Sequence, residues 1–268
     1  MGDAVNEFQG YAVNPLASFR IDGQTALITG ASRGIGAGIA MALAAVGAEV
    51  VLVSRTKDEL DAVAKTIRER GGRATVRVCD VTDASTIRSV IGDLTRLDVL
   101  VNNVGTNFPE PMVEVSDEHL DGLLDLNVRA CYVTAQAAVR KMLEDPQRRD
   151  KGGVVINISS QMGHIGAPDR TVYCMTKHAV EGLTKAMAVE LAPYRIRVNS
   201  IAPTFVDTPL IRRIVDTPEK HELLVSKILL GRMATVEDIA GAAVYLASPA
   251  ASMVTGLSLK VDGGWTAQ

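Results

Sequence analysis

The segment Thr25–Gly36 constrains the fold of this chain more than any other stretch. Thr25-Ala26-Leu27-Ile28-Thr29 is a short apolar run of β character. Gly30-Ala31-Ser32-Arg33-Gly34-Ile35-Gly36 follows at once, and a helical stretch opens at Ala37. Glycines at 30, 34 and 36 allow a tight turn, close approach of a phosphate to backbone, and close packing of helix on strand. The free N–H groups and dipole at the helix start then suit a pyrophosphate. Strand, glycine turn and helix in this order point to a dinucleotide-binding unit, where glycines alone would mark an ordinary loop.

The rest of the chain repeats strand, then helix. Apolar runs without alternation occur at 25–29, 50–54, 74–79, 99–103, 154–159, 197–203 and 257–262. Such runs suit parallel strands covered on both faces. Segments of helical period lie between them at 57–70, 117–144, 172–192 and 236–247. With right-handed crossovers they predict an α/β fold: one Rossmann-type, doubly wound parallel sheet of about seven strands with helices on both faces. Residues 1–18 read as a loose arm and 19–268 as a single domain. The stretch 204–232, carrying Pro209 and Pro218, interrupts the rhythm after the sixth strand. A chain of 268 residues, 47% hydrophobic, is long enough to bury one large core.

Charge and cysteines exclude other classes. A formal net charge of −3 offers no basic field for nucleic acid. The start lacks the basic-then-apolar pattern of a secretory leader, and Asn6 departs from the myristoylation pattern. The longest apolar stretch, Ala37–Ala48, is too short for a bilayer and reads as a buried helix, so no membrane is expected. Cys79, Cys131 and Cys174 are odd in number and lack CxxC spacing, which speaks against disulfide and zinc frameworks. Cys174 reads as a small buried hydrophobe and the cytoplasm as the default location. No histidine pairs with acids at metal spacing, so no catalytic metal is expected. His164 reads as a loop histidine without partners, and Asp207 and Asp238 as surface or helix-start residues.

Chemistry concentrates further along. Tyr173 and Lys177 stand four apart and share a helix face. A phenol ordinarily ionises near pH ~10. A neighbouring ammonium favours the phenolate, which suits a general acid/base. Ser160 leaves the apolar run Val154–Ile158 where a strand would release it into a cleft. After the second strand stands Ser54 and then Arg55, where an NAD-preferring fold usually carries an acid for the ribose 2′-hydroxyl. Arg55 and Arg33, with that acid absent, favour a 2′-phosphate and hence NADP(H).

Taken together, the chain from about Phe19 onward resembles the short-chain dehydrogenases/reductases. The turn Thr29–Gly36, Asp80-Val81, Asn102-Asn103-Val104-Gly105, Asn127, Ser160, Tyr173 and Lys177 fall in that family's order. Val104 stands where the family more usually has Ala, and Thr204, after Pro203, where it usually has Gly. The resemblance implies Asn127, Ser160, Tyr173 and Lys177 as catalytic residues. It implies a cofactor site formed by Gly30, Ser32, Arg33, Gly34, Ile35, Gly36, Ser54, Arg55, Asp80, Val81, Asn102, Asn103, Val104, Gly105, Tyr173, Lys177, Pro203, Thr204, Val206 and Thr208. Within it, Asp80 would accept from the adenine amino group and Asn102 would line the ribose. Thr208 would touch the carboxamide, and Asn127 would hold a water linking Lys177 to solvent. Residues 204–232 would form a lid over a small carbonyl or alcohol substrate, and paired helices 117–144 and 172–192 would build a homotetramer. The runs Ala202–Pro209 and Asp262–Thr266 look like the sugar-acid and polyol branch. Arg129 and Arg170 leave open a reductase of 3-oxoacyl chains on carrier protein. A dinucleotide-binding scaffold without turnover is the remaining alternative.

Overall fold

The computed structural model of the protein describes residues 14–268, Asp216 excepted. One turn of helix, α1 (Pro15–Ser18), leads into β1 (Thr25–Thr29), α2 (Gly34–Ala45), β2 (Glu49–Ser54), α3 (Lys57–Glu69) and β3 (Arg73–Val78). The chain then returns through α4 (Ala84–Gly92) to β4 (Val99–Asn102), α5 (Asp117–Leu124), α6 (Ala130–Leu143) and α7 (Arg148–Lys151). The last third comprises β5 (Gly153–Ile158), α8 (Thr171–Leu191), β6 (Ile196–Pro203), α9 (Pro209–Ile214), α10 (Pro218–Val225), α11 (Val236–Ala247) and β7 (Ser258–Val261). All strand pairs are parallel, in the order β3-β2-β1-β4-β5-β6-β7. Each strand begins and ends within one residue of its apolar run.

Two apolar layers explain why those runs do not alternate. Val50 and Leu52 of β2 face a layer built with α2, α3 and α11, while Val51 and Val53 face one built with α4, α6 and α8. Both faces are dry, and a fully buried Leu or Ile contributes ~1.5–3 kcal/mol. Because β1 lies between β2 and β4, the strand order reverses there, and a crevice opens at the carboxyl ends of those strands.

The amino ends are closed by charge. Asp98 accepts from Thr25 N–H at 2.9 Å, Arg96 Nε at 2.6 Å and buried Arg148 at 3.2 Å. Arg148 also donates to Met142 O, Leu97 O and Gly152 O.

Two helices differ from expectation. The helix expected over 117–144 is interrupted by a π turn, Asp125–Arg129, between α5 and α6. The wider turn carries Asn127 inward, to 2% exposure. The apolar stretch 37–48 stops being helical at Ala45, because Gly47 takes φ +107° and lies against Asp22. Among the described residues no helix is long and apolar enough to cross a membrane.

Candidate active site

The glycine turn is packed to its limit. Gly30 and Gly34 take positive φ (+65° and +55°), a Cβ on Gly30 would sit 2.8 Å from Asn103 Nδ2, and one on Gly36 would collide with Gly30 O. Asn103 itself braces the turn: its N–H donates to Thr29 Oγ1 at 3.0 Å and Nδ2 to Thr29 O and Gly30 O at 3.0 and 3.3 Å. No side chain caps α2, so its first N–H groups remain available to an anion. Thr208, which caps α9, faces Gly34 across the crevice at 3.6 Å from where a Cβ would be.

Several residues expected at the cofactor have their side chains engaged elsewhere in the fold. The Asn102 side chain points into the core, where Nδ2 donates to Cys131 O and Asn157 Oδ1, and Val81 is buried in the layer under α4. The Asn103 amide is spent on the turn, as above. Ile35 and Val206 pack on the apolar layer beneath the turn. Asp80 Oδ1 accepts from Thr82 N–H and Oγ1, leaving Oδ2 facing Arg55 at 3.7 Å. Arg33 faces Glu59 at the same distance, so acids from α3 and from the loop after β3 do approach both guanidiniums. The Arg33 and Arg55 side chains are 73% and 79% exposed, and these pairs are loose.

The reactive set comes together at the ends of β4 and β5. Ser160 follows β5, and its Oγ accepts from Met162 N–H at 3.1 Å, which leaves the hydroxyl proton to be donated. The turn Gln161–Gly163 presses on α8; a Cβ on Gly163 would lie 3.0 Å from Lys177 O, so a side chain there would crowd this approach. On α8, Tyr173 is half-buried and Lys177 only 5% exposed; its Nζ lies 5.6 Å from the Tyr173 ring centre and donates to Ile158 O at 3.0 Å. Asn127 exchanges two hydrogen bonds with the Thr106 backbone, each 2.9 Å, and donates to Thr176 Oγ1. Lys177 Nζ and Asn127 Oδ1 each stand 3.3 Å from where a Cβ of Gly105 would be, so the missing side chain leaves a gap between them.

His164 has partners after all: Nε2 lies 2.8 Å from Ser258 Oγ and 3.3 Å from Glu181 Oε1. Buried Glu181, one turn beyond Lys177, also accepts from Ser200 Oγ at 2.7 Å, joining α8 to β6 and β7. Burial pushes the Cys79 and Cys131 thiols up to about 11, which disfavours their thiolates, and Cys174 is buried as well. Asp238 and Asp207 pair with Arg232 and Arg212 at helix starts.

Apart from Thr204, sequence reasoning passes over a group of buried polar atoms that lack partners. Both amide atoms of Gln161, 1% exposed, have none; nor do Asn107 Oδ1, Ser159 Oγ or Thr204 Oγ1. All follow the carboxyl ends of β4, β5 or β6. The adjacency of Gln161 to Ser160 was the available signal.

Residues 30–266 match the family described as enoyl-(acyl carrier protein) reductase. A short-chain type dehydrogenase/reductase from Mycobacterium marinum shares 41% identity and superposes with a TM-score of 0.88 over 94% of this chain and 99% of that one. The chain belongs to the short-chain dehydrogenase/reductase family. Family membership makes it a dinucleotide-dependent oxidoreductase. L-xylulose reductase of Bos taurus is 41% identical over 92% of this chain and 98% of its own length. A gluconate 5-dehydrogenase from Burkholderia cenocepacia, solved with NADP and tartrate, is 34% identical, with a TM-score of 0.89 over 95% of this chain and all of that one. The residues present fit a dinucleotide: a glycine cradle that a Cβ would fill, and an uncapped helix start behind it.

Proposed function

We propose that the protein is an NADP(H)-dependent oxidoreductase that interconverts a carbonyl and a secondary alcohol on a small polyhydroxylated molecule, a sugar acid or polyol. The observation that carries this reading is the set of partnerless buried groups on Gln161, Asn107 and Thr204, past the carboxyl ends of the strands as Ser160 is, which suit a substrate rich in hydroxyls. An acyl chain would leave them unpaired, and Arg129 is tied to Asp125 at 3.0 Å, so the 3-oxoacyl alternative has less support. L-xylulose reductase and gluconate 5-dehydrogenase, among the relatives, act on molecules of the favoured kind.

Bound NADP(H) supplies or accepts the hydride. Ser160 donates its hydroxyl to the carbonyl oxygen, and Tyr173 delivers the proton. Lys177 is fixed by Ile158 O with its ammonium near the Tyr173 ring, and the space beside Gly105, flanked by Lys177 Nζ and Asn127 Oδ1, is where a relaying water would sit. Gly30–Gly36 and Gly105 cradle the dinucleotide, while Arg33 and Arg55 exchange their loose acidic partners for a 2′-phosphate. The segment 204–232 acts as a lid. Exposed Tyr132, Met175 and Val189 on α6 and α8, beside Ala179, Gly182 and Ala186, suit helix pairing in a homotetramer, readable by light scattering. Three free thiols suit the cytoplasm. The deciding experiment is NADPH oxidation against L-xylulose, 5-keto-D-gluconate and a 3-oxoacyl thioester. Turnover of the sugars is expected; turnover of the thioester alone overturns the reading.

A further inference from the structure

Arg170 stands three residues before Tyr173, at the start of α8. The residue before it, Asp169, takes φ +56°, a left-handed conformation that a side chain other than glycine rarely adopts. Asp169 O accepts from Glu110 N–H and from Arg170 Nη1, both at 3.0 Å. This turn therefore joins the loop after β4 to the helix that carries Tyr173, and it sets Arg170 one helical turn before Tyr173, close enough for the two to interact electrostatically. Strain of this kind persists where the surroundings hold it and clusters at binding sites.

Arg170, like Arg197, is a partly buried guanidinium bound only to backbone carbonyls, whereas several other arginines are held by acids. Arg96, Arg129, Arg148, Arg212 and Arg232 each have a carboxylate within 4 Å. Arg170 is half-buried, and among the described residues no carboxylate reaches ion-pair distance from it. Its one hydrogen bond goes to a backbone carbonyl. Burial disfavours its charged form, against the milder pull of Asp169, Cys174 and Tyr173. A half-buried cation with most of its donors unused is stabilised by an incoming anion, and its planar fork matches a carboxylate.

We propose that Arg170 forms the carboxylate subsite of the cleft, so that the substrate is a small polyhydroxylated acid and not a neutral polyol. The inference rests on the function proposed above and narrows it. Asp169 and Glu110 flank the turn and would repel a dianionic phosphate more than a monoanion, which favours the carboxylate.

The test is calorimetric binding of D-gluconate and of xylitol to the wild-type enzyme saturated with NADP⁺, repeated with Arg170→Gln and Arg170→Lys. Wild type should prefer gluconate by about tenfold or more, the worth of one charged hydrogen-bond pair. Arg170→Gln should bring the ratio to about one by weakening gluconate, with Arg170→Lys between the two. Wild type without a gluconate preference, a preference that survives in Arg170→Gln, or equal weakening of both ligands overturns the proposal. If Arg170→Gln does not fold, the wild-type and Arg170→Lys ratios decide. Failure of the proposed function would appear separately, as absence of NADPH-dependent turnover, and the binding ratio would still report on the subsite.

Discussion

At the amino ends of the strands Asp98 and Arg148 bury two full charges, and among the described residues no buried side-chain polar atom at that rim lacks a partner. At the carboxyl ends Gln161, Asn107, Ser159 and Thr204 bury neutral polar atoms that have none. An unmet buried donor or acceptor costs ~1–3 kcal/mol. The chain thus satisfies fully the rim that only holds the sheet together, and leaves unsatisfied the rim where Ser160, Tyr173 and Lys177 meet. Polar groups of the first kind are spent on folding; those of the second are reserved for a ligand. The contrast predicts opposite behaviour when each is removed.

Tyr173→Phe should give the largest effect. The ring still packs on α8 while the transferable proton is gone, so kcat should fall by ~10²–10⁴-fold. NADPH binding and the urea midpoint should hold, which equilibrium titration and denaturation check. Turnover within about tenfold of the parent would place the proton work elsewhere. Asp98→Ala is the counterpart at the other rim. It removes the buried carboxylate partner of Arg148, 3% exposed, leaving only partly buried Asp145 at 3.8 Å, and leaves Thr25 N–H and Arg96 without their acceptor. Stability should fall by ~3–5 kcal/mol. Activity per folded molecule, measured below the unfolding transition, should not change. If Asp98→Ala impairs kcat in the folded enzyme, the two rims are not separate in function.

How far these rims could be read beforehand depends on the range of the contacts. Local patterns carried the strands, the glycine turn and the shared face of Tyr173 and Lys177, because a few neighbours fix each of them. The Asp98–Arg148 pair is fifty residues apart in sequence, and the inward turn of Asn102 depends on Cys131 and Asn157. His164 reads from sequence as a partnerless loop residue because Ser258 and Glu181 reach it only once β7 and α8 are in place. The π turn at Asn127 keeps an almost helical period, so the sequence of 117–144 looked unbroken. A want of partners, as at Gln161, is visible only when every neighbour is known.

At the solvent edge of the carboxyl rim lie Arg33 and Arg55, exposed and loosely paired. Arg55→Ala should therefore leave stability alone and raise KM for NADPH by about tenfold, with KM for NADH unchanged. Steady-state rates with both cofactors on one carbonyl substrate decide this. Equal efficiencies in the parent enzyme would mean that Glu59 and Asp80 keep the arginines and no 2′-phosphate is read.

Gln161→Leu tests the comparison where it is least intuitive, because the mutant should be the more stable protein. Leucine is close to glutamine in volume and brings no polar atom, so the site keeps its packing and loses two unmet groups. The urea midpoint should rise, by the equivalent of about 1 kcal/mol. For a polyhydroxylated ketone, kcat/KM should fall by about tenfold, the loss of one substrate hydrogen bond. For a small ketone without hydroxyls it should not fall, since that molecule never used the amide. A Gln161→Leu enzyme that is both less stable and equally impaired on the two ketones would show that the amide is a structural group. The carboxyl rim would then be built on the same terms as the amino rim.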